Sequence, residues 1–237
     1  MYSFTPLEHQ YDKGFGAVAD SFQDAGNALK AQYSRAMLNG HLPICYLFRH
    51  AIELFLKGSI IIVHKGFKIP CGSEPCTGVP KIPKMKKGKL EQQPIYNIHE
   101  IDLLYKYLSK LLNENKDDVE AIFNGWKFPD YFEEKIERYE KIDPSSTFFR
   151  YPEDKIPSIY QKEKSAFKET TVEEVMAIAE RNQEPMKTMK TVSLIGKDTQ
   201  VFIHDDSFTD EAMNLLDEIL EDVSTCHFAL INRISGG

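Results

Sequence analysis

The sequence predicts a mainly α-helical protein that carries one β-hairpin before a long C-terminal helix. Apolar residues recur at intervals of three and four over most of the chain, as they do on one face of an α-helix. The most apolar stretch, Leu42 to Val63, is long enough for a fully buried helix. Alternation of apolar and polar residues, which is typical of strands, is found at 190–204. The composition, 42% apolar and 27% charged, is that of a globular protein, and we expect one domain over residues 1–237.

The composition also argues against several classes of protein. The net charge of −7 disfavours a general nucleic-acid binder but leaves room for a local basic site. Four cysteines are too few for a disulfide scaffold of this length, so we expect reduced thiols and a cytoplasmic location. The first residues, MYSFTPLEHQYDKG, have neither the basic start nor the apolar centre of a signal peptide. We expect no cofactor and no metal ion.

Two helices are predicted in the first third of the chain. Small and apolar residues recur at helical spacing over about 17–38, and Asn39-Gly40 ends that pattern. Pro43 suits the first turn of a second helix, because the N–H group that proline lacks would be unpaired there. This helix ends near Gly66. Its charged residues make a membrane span costly, so we expect it to be buried in a soluble protein.

Residues 66–97 are predicted to form an irregular insertion that is rich in lysine and proline. The segment holds five prolines, which interrupt regular structure. It also holds five closely spaced lysines: Lys81, Lys84, Lys86, Lys87 and Lys89. The insertion is either a solvated loop or a basic flap for a phosphate-bearing partner, and the sequence leaves both open.

The central part of the chain alternates between helices and loops. A third helix starts near Ile98, and a short one covers about 117–123. The charged helix at about 129–142 is expected on the surface. Residues 147–169 are expected to be mostly loop, and a short helix follows at 172–181.

The last part is predicted to be a β-hairpin at 190–204 followed by a long helix. The hairpin turn is Gly196-Lys197-Asp198-Thr199. Ser207 or Thr209 can cap the final helix, whose apolar residues repeat at three and four. Such a face suits either core packing or a dimer interface.

The second helix carries a polar stripe in otherwise apolar surroundings. Arg49, His50, Glu53 and Lys57 fall within an arc of about 100° on this helix. A helix that is apolar nearly all round is normally buried, and buried charges must be paired. Two interpretations are open: an intrahelical network of ion pairs with a satisfied histidine, or a functional cluster lined by this helix.

Two other segments could complete such a cluster. His99 lies at the predicted start of the third helix, where Asn97 could act as a cap. Arg150 lies between aromatic residues and before a proline, in a loop pattern at 148–155. Taken alone, each segment is equally compatible with a purely structural role. The first would be a helix cap followed by a surface histidine, and the second would be a loop anchored by its aromatic residues.

Together these segments resemble the HEPN superfamily. The matching segments are LFRHAIELFLK at 47–57, HEIDLL at 99–104 and FRYP at 149–152, and the resemblance covers roughly 20–155. It implies a helical bundle that commonly dimerises. Many such proteins are metal-independent ribonucleases in toxin–antitoxin, anti-phage or RNA-processing settings, with one composite site built by two protomers.

The chain departs from the motif of that family, Arg-x(4–6)-His. His227 and Arg233 of the last helix stand in the reverse order, and the one formal match, Arg35 to His41, crosses the helix stop at Asn39-Gly40. Many relatives of this type are non-catalytic binding or scaffold domains, so the resemblance implies either a ribonuclease or a domain of that kind.

The leading hypothesis is an RNA-directed role, with an endoribonuclease as the possible activity. The candidate catalytic residues are Arg49, His50, Glu53, His99 and Arg150. Glu53 would orient the basic groups, either histidine would transfer protons, and the two arginines would bind phosphate. The alternatives are a non-catalytic homodimeric interaction protein, in which the stripe is structural, and a nucleotide-binding module.

Two further patterns are set aside. Cys71 and Cys76 form a loop pair without the further ligands that zinc requires. Gly14-Phe15-Gly16 lacks the strand and helix of a dinucleotide site.

Overall fold

The chain is mainly helical, which confirms the predicted fold class. A computed structural model describes residues 5–33, 40–71, 79–123, 130–143, 149, 167–181, 190–195, 198–204 and 207–235. The α-helices are α1 (Phe15–Gln32), α2 (His41–Gly66), α3 (Ile101–Glu114), α4 (Lys116–Phe123), α5 (Asp130–Ile142), α6 (Val172–Arg181) and α7 (Ser207–Ile234). The strands are β1 (Lys81–Lys86), β2 (Lys89–Pro94), β3 (Phe167–Thr170), β4 (Lys190–Ile195) and β5 (Asp198–His204).

Helix α2 is the centre of the bundle. It packs between α1 and α7 and also contacts α3. Nearly every residue from Cys45 to His64 is buried, as expected for a helix that is apolar nearly all round. Helix α1 approaches α2 closely at Gly26, where a Cβ atom would lie 2.6 Å from the ring of Phe48. The glycine therefore sets the α1–α2 distance.

Helix α7 uses its apolar face inside this chain. Leu216, Leu220, Val223 and Leu230 are all buried, and the helix contacts α2 and α5. The sequence left two roles open for this face, core packing and a dimer interface, and these residues serve core packing.

Helix α5 is less superficial than its charge predicts. Phe132, Ile136 and Tyr139 are buried, and they follow one another at the four- and three-residue spacing of a helix face. The charged residues occupy the remaining faces. The expectation of a surface helix was therefore wrong for this side of α5, which contacts α3 and α7.

The segment expected to be irregular, 66–97, contains a regular hairpin. Strands β1 and β2 pair antiparallel from Lys81↔Pro94 to Lys86↔Lys89. The turn residues Lys87 and Gly88 have φ angles of 49° and 77°, the left-handed conformation that a tight two-residue hairpin turn requires. Prolines obscured these strands in the sequence, but a two-stranded sheet has only edge strands, which tolerate proline.

The hairpin predicted at 190–204 is confirmed, and a third strand joins it. Strand β4 pairs with β5 from Lys190↔Ile203 to Ile195↔Asp198. Strand β3 pairs with the other edge of β5, which gives the order β3-β5-β4. Strand β3 lies where mostly loop was expected. Helix α6 has the predicted bounds, whereas the predicted end of α1 falls on 34–39, outside the described residues.

Among the helices that the structure describes, none is both long enough and apolar enough to cross a membrane. The apolar stretch of α2 does not qualify because it contains several charged residues, and each ionisable group is costly at the centre of a bilayer.

Candidate functional site

The stripe on α2 is buried, and it meets partners from two other parts of the chain. The side chains of Arg49, Glu53 and Lys57 are 0%, 1% and 3% exposed. Their partners are Asp143, which follows α5, and His99, which precedes α3. The expectation that these charges lie inside the bundle and are paired is confirmed. We call these five residues, with Tyr139, the buried charge cluster.

Arg49 joins three segments through its guanidinium group. Nη1 donates to Glu53 Oε2 at 2.9 Å, Nε donates to Asp143 Oδ2 at 3.2 Å, and Nη2 donates to the backbone carbonyl of His99. Burial alone would lower the pKa of Arg49, but Tyr139, Glu53 and Asp143 outweigh it and raise the pKa. The group is therefore a fixed cation that holds α2, α5 and the start of α3 together.

Glu53 is the anion between the two cations of α2. Its Oε1 atom accepts from Lys57 Nζ at 2.7 Å and lies 3.0 Å from His99 Nδ1. Burial opposes ionisation, but Lys57 and Arg49 lower the pKa of Glu53 to about 2. The carboxylate is therefore charged at neutral pH and available to orient His99.

Asp143 supplies the second carboxylate, and sequence reasoning missed it. Tyr139 Oη donates to Asp143 Oδ2 at 2.8 Å, and the Asp143 side chain is fully buried. Burial, together with this aspartate, raises the pKa of Tyr139 well above its usual value, so the phenol remains a donor. Helical spacing could have revealed this aspartate, because Asp143 continues the buried face of α5 that is formed by Phe132, Ile136 and Tyr139.

His99 is the exposed member of the cluster. Its side chain is 47% exposed, while its Nδ1 atom faces the buried Glu53 carboxylate. If Nδ1 carries the hydrogen of this bond, Nε2 is left as an unprotonated acceptor. Helix α3 begins at Ile101 with Glu100 at its N-cap and no side-chain cap, so the prediction that Asn97 caps it was wrong.

The structure separates His50 from this cluster. Its ring meets Phe22 of α1 edge-on at 4.6 Å and stacks on Tyr46 at 5.9 Å. Arg150 lies outside the described residues, as does Arg35 of the formal motif match. Phe149, directly before Arg150, is buried. Of the five candidate residues, the structure therefore brings together Arg49, Glu53 and His99.

A second buried polar cluster, also missed from the sequence, lies where α2 and α7 meet the N-terminal segment. Asp12 accepts backbone N–H bonds from Gly14 at 2.9 Å and Gly16 at 2.7 Å, and its Oδ2 atom lies 3.4 Å from His227 Nε2. His227 Nδ1 lies 3.2 Å from Ser59 Oγ. Aspartate, histidine and serine in this order could form a nucleophilic relay, but all three are 0% exposed. These three residues therefore hold α2, α7 and the N-terminal segment together and are not accessible to a substrate.

The cysteines differ from expectation in one respect. Cys71 is disulfide-bonded, so the expectation that all thiols are reduced was wrong, and Cys76 lies outside the described residues. Cys45 and Cys226 are free and buried. Within the part of the chain that the structure describes, no group of three or more His, Cys, Asp or Glu residues could hold a metal ion.

The geometry therefore gives a neutral buried network, with two cations balanced by two carboxylates, that ends at one half-exposed imidazole. This arrangement can fix a tautomer and move a proton at the surface. Comparison of the chain with models of known families, with curated proteins and with solved structures gave no match.

Proposed function

We propose that this chain is a HEPN-like protein that acts on RNA as an endoribonuclease, with His99 as its acid–base group. One observation carries the proposal: the Nδ1 atom of the half-exposed His99 is 3.0 Å from Glu53, a carboxylate held ionised by two buried cations. A histidine oriented by a carboxylate is suited to proton transfer near neutral pH.

The chemistry follows from the two sides of this imidazole. Nε2 takes the proton of a ribose 2′-hydroxyl, and the resulting alkoxide attacks the adjacent phosphorus. The bond to the 5′-oxygen breaks, and that oxygen needs a proton from a second group. The composite site implied by the resemblance would supply that group from a partner protomer. Glu53 stabilises the imidazolium that forms on His99.

The remaining candidates take other roles in this proposal. Arg49 is fully buried and its nitrogens already donate to protein acceptors, so it positions Glu53 and the backbone of His99 rather than binding phosphate. Lys57 holds Glu53 in the same way, and it also lies 3.5 Å from the carbonyl of Tyr96. Arg150 remains the candidate for a phosphate contact.

The test is cleavage of a labelled single-stranded RNA in the presence of EDTA. We expect products ending in a 2′,3′-cyclic phosphate, and no cleavage where the attacking 2′-hydroxyl is replaced by hydrogen. His99→Gln should lower the rate by about 100-fold or more, since a positioned acid–base group contributes about that much. His9→Gln is the matched control, because His9 is exposed on the N-terminal turn. Equal rates for His99→Gln and the native chain would contradict the proposal.

A non-catalytic interaction protein is the second candidate. The observation in its favour is that Arg49, Glu53 and Lys57 are almost fully buried and paired with one another, as in a structural ion network. In that case the chain cleaves no RNA, and sedimentation equilibrium should give the mass of a homodimer. A monomer that cleaves no RNA would exclude both candidates.

A further inference from the structure

The β1–β2 hairpin concentrates positive charge in a chain that is acidic overall. Five lysines lie within residues 81–89, although the whole chain has a net charge of −7. Lys86, Lys87 and Lys89 are exposed. No ion pair is found at these three lysines among the described residues, so their charge is available to a ligand.

The strand register places three of the five lysines, Lys84, Lys86 and Lys89, on one face. Ile82, Lys84 and Lys86 point to the same side of β1, and Lys89 is paired directly with Lys86 across the hairpin. Ile82 is 0% exposed, so this side faces the body of the protein near the base of the hairpin. Met85 and Leu90, which are paired with each other, lie on the opposite side. The side that carries Lys84, Lys86 and Lys89 also carries one carboxylate, Glu91, which is paired with Lys84 at the end of the row nearer the base of the hairpin. We call this side the lysine face.

The lysine face is attached to the candidate site. Lys84 Nζ forms an ion pair with Glu100, the residue that follows His99. The hairpin also continues through a short turn, Ile95–Asn97, into His99. Side chains on one face of a strand are spaced by about 7 Å, so Lys86 and Lys89 extend the row outward from the position of Lys84.

We propose that the lysine face binds the phosphate backbone of single-stranded RNA and leads the strand to His99. This inference rests on the proposed RNA-directed function and adds the surface that holds the substrate. Lys84 is committed to Glu100 and positions the hairpin, whereas Lys86 and Lys89 contact phosphates. Neutralising phosphates with lysine releases counterions, which is the main source of affinity that does not depend on base sequence.

Charge complementarity favours RNA over a lipid surface. Met85 and Leu90 are 63% and 66% exposed and could enter a membrane, but the register places them on the side away from the lysine face. The charged row, in contrast, lies on the side that meets Glu100 next to His99. We therefore propose RNA as the ligand, and the experiment below tests lipid vesicles as the alternative ligand.

The experiment measures binding of a fluorescent 2′-O-methyl RNA oligonucleotide to the full chain by anisotropy at several salt concentrations. This RNA cannot be cleaved, so binding is measured separately from the activity assigned to His99. The variant is Lys86→Gln with Lys89→Gln. The matched control is Lys81→Gln with Lys116→Gln, which removes the same charge from the other side of β1 and from α4.

We expect the Lys86/Lys89 variant to bind at least about 10-fold more weakly at 0.1 M salt. The slope of log affinity against log salt should fall by about 1.4, because each lost phosphate contact on a single strand contributes about 0.7. The control variant should stay within about twofold of the native chain. Thermal melting should show the same Tm for both variants and the native chain, since all four lysines are on the surface.

Three results would overturn the inference. One is equal binding by the Lys86/Lys89 variant and the native chain, and another is an equal loss in both variants, which would reflect net charge alone. The third is binding of the native chain to vesicles of phosphatidylserine and phosphatidylcholine, but not to RNA, that is lost in Met85→Ser with Leu90→Ser. Failure of the proposed function is distinct, because it appears as unchanged RNA cleavage in His99→Gln while RNA binding persists.

Discussion

Replacing Glu53 by glutamine tests whether the buried charge cluster depends on this single anion. The substitution keeps the size of the side chain but removes the charge that Arg49 and Lys57 share. Lys57 is then a buried cation next to a neutral amide, and Arg49 keeps only Asp143 as a charged partner. The amide also offers one acceptor oxygen where the carboxylate serves Arg49, Lys57 and His99 through two.

The size of the effect can be worked out from the pKa of Glu53. A fall of the pKa from 4.5 to about 2 corresponds to about 3 kcal/mol of folding free energy at neutral pH. Breaking a buried ion pair costs a similar amount, about 3–5 kcal/mol. Small proteins have only about 5–15 kcal/mol of total stability, so we expect Glu53→Gln to lose a large part of it.

The assay is urea unfolding at pH 7, repeated at lower pH. Because the pKa of Glu53 is lower in the folded chain, its contribution is present above about pH 4.5 and is lost as the pH falls towards about 2. The stability difference between Glu53→Gln and the native chain should therefore shrink over that range. Glu134→Gln, at an exposed glutamate of α5, is the control and should change stability by less than about 0.5 kcal/mol. A loss below about 1 kcal/mol for Glu53→Gln would refute this reasoning.

Four further substitutions probe the cluster, its surroundings and the α1–α2 contact. Asp143→Asn should lower the free energy of unfolding by more than Tyr139→Phe does, as measured by urea unfolding. The first variant removes a buried charge, whereas the second removes one hydrogen bond worth about 1 kcal/mol. Equal losses in the two variants would contradict this prediction. Burial, with Asp102 and Asp143 nearby, raises the pKa of Glu140 to about 7, so its contribution to stability is present below about pH 4.5 and lost as the pH rises through 7. Glu140→Gln should therefore have a higher Tm than the native chain at pH 8 and the same Tm at pH 4; a lower Tm at pH 8 would count against it. Gly26→Ala should cost about 1–3 kcal/mol, because the added methyl group meets the Phe48 ring at 2.6 Å, and an unchanged Tm would show that α1 and α2 are less tightly packed than described.

The sequence predicts the fold well where local patterns decide it. Helix α6 has its predicted bounds, and the pairing of β4 with β5 follows from alternation alone. The β1–β2 hairpin was missed because its lysines and prolines resemble a loop, whereas the deciding feature is the left-handed turn at Lys87-Gly88. Strand β3 was missed because its partner, β5, lies more than 30 residues away along the chain.

The candidate site was predictable only in part, for a similar reason. Helical spacing places Arg49, Glu53 and Lys57 on one side of α2 and requires partners for them. It cannot tell that His50, within the same arc, faces the ring of Phe22 instead. Nor does local sequence connect Arg49 with Asp143, which is 94 positions further along the chain.

The central claim is that the buried charge cluster fixes the orientation and tautomer of His99. Heteronuclear NMR of the imidazole nitrogens measures this directly, in the native chain and in Lys57→Met, which removes one of the two cations that hold Glu53. We predict that neutral His99 carries its hydrogen on Nδ1 in the native chain, and that this preference weakens in Lys57→Met. Hydrogen on Nε2 in the native chain would contradict the account, because Glu53 would then have no proton to accept from this ring.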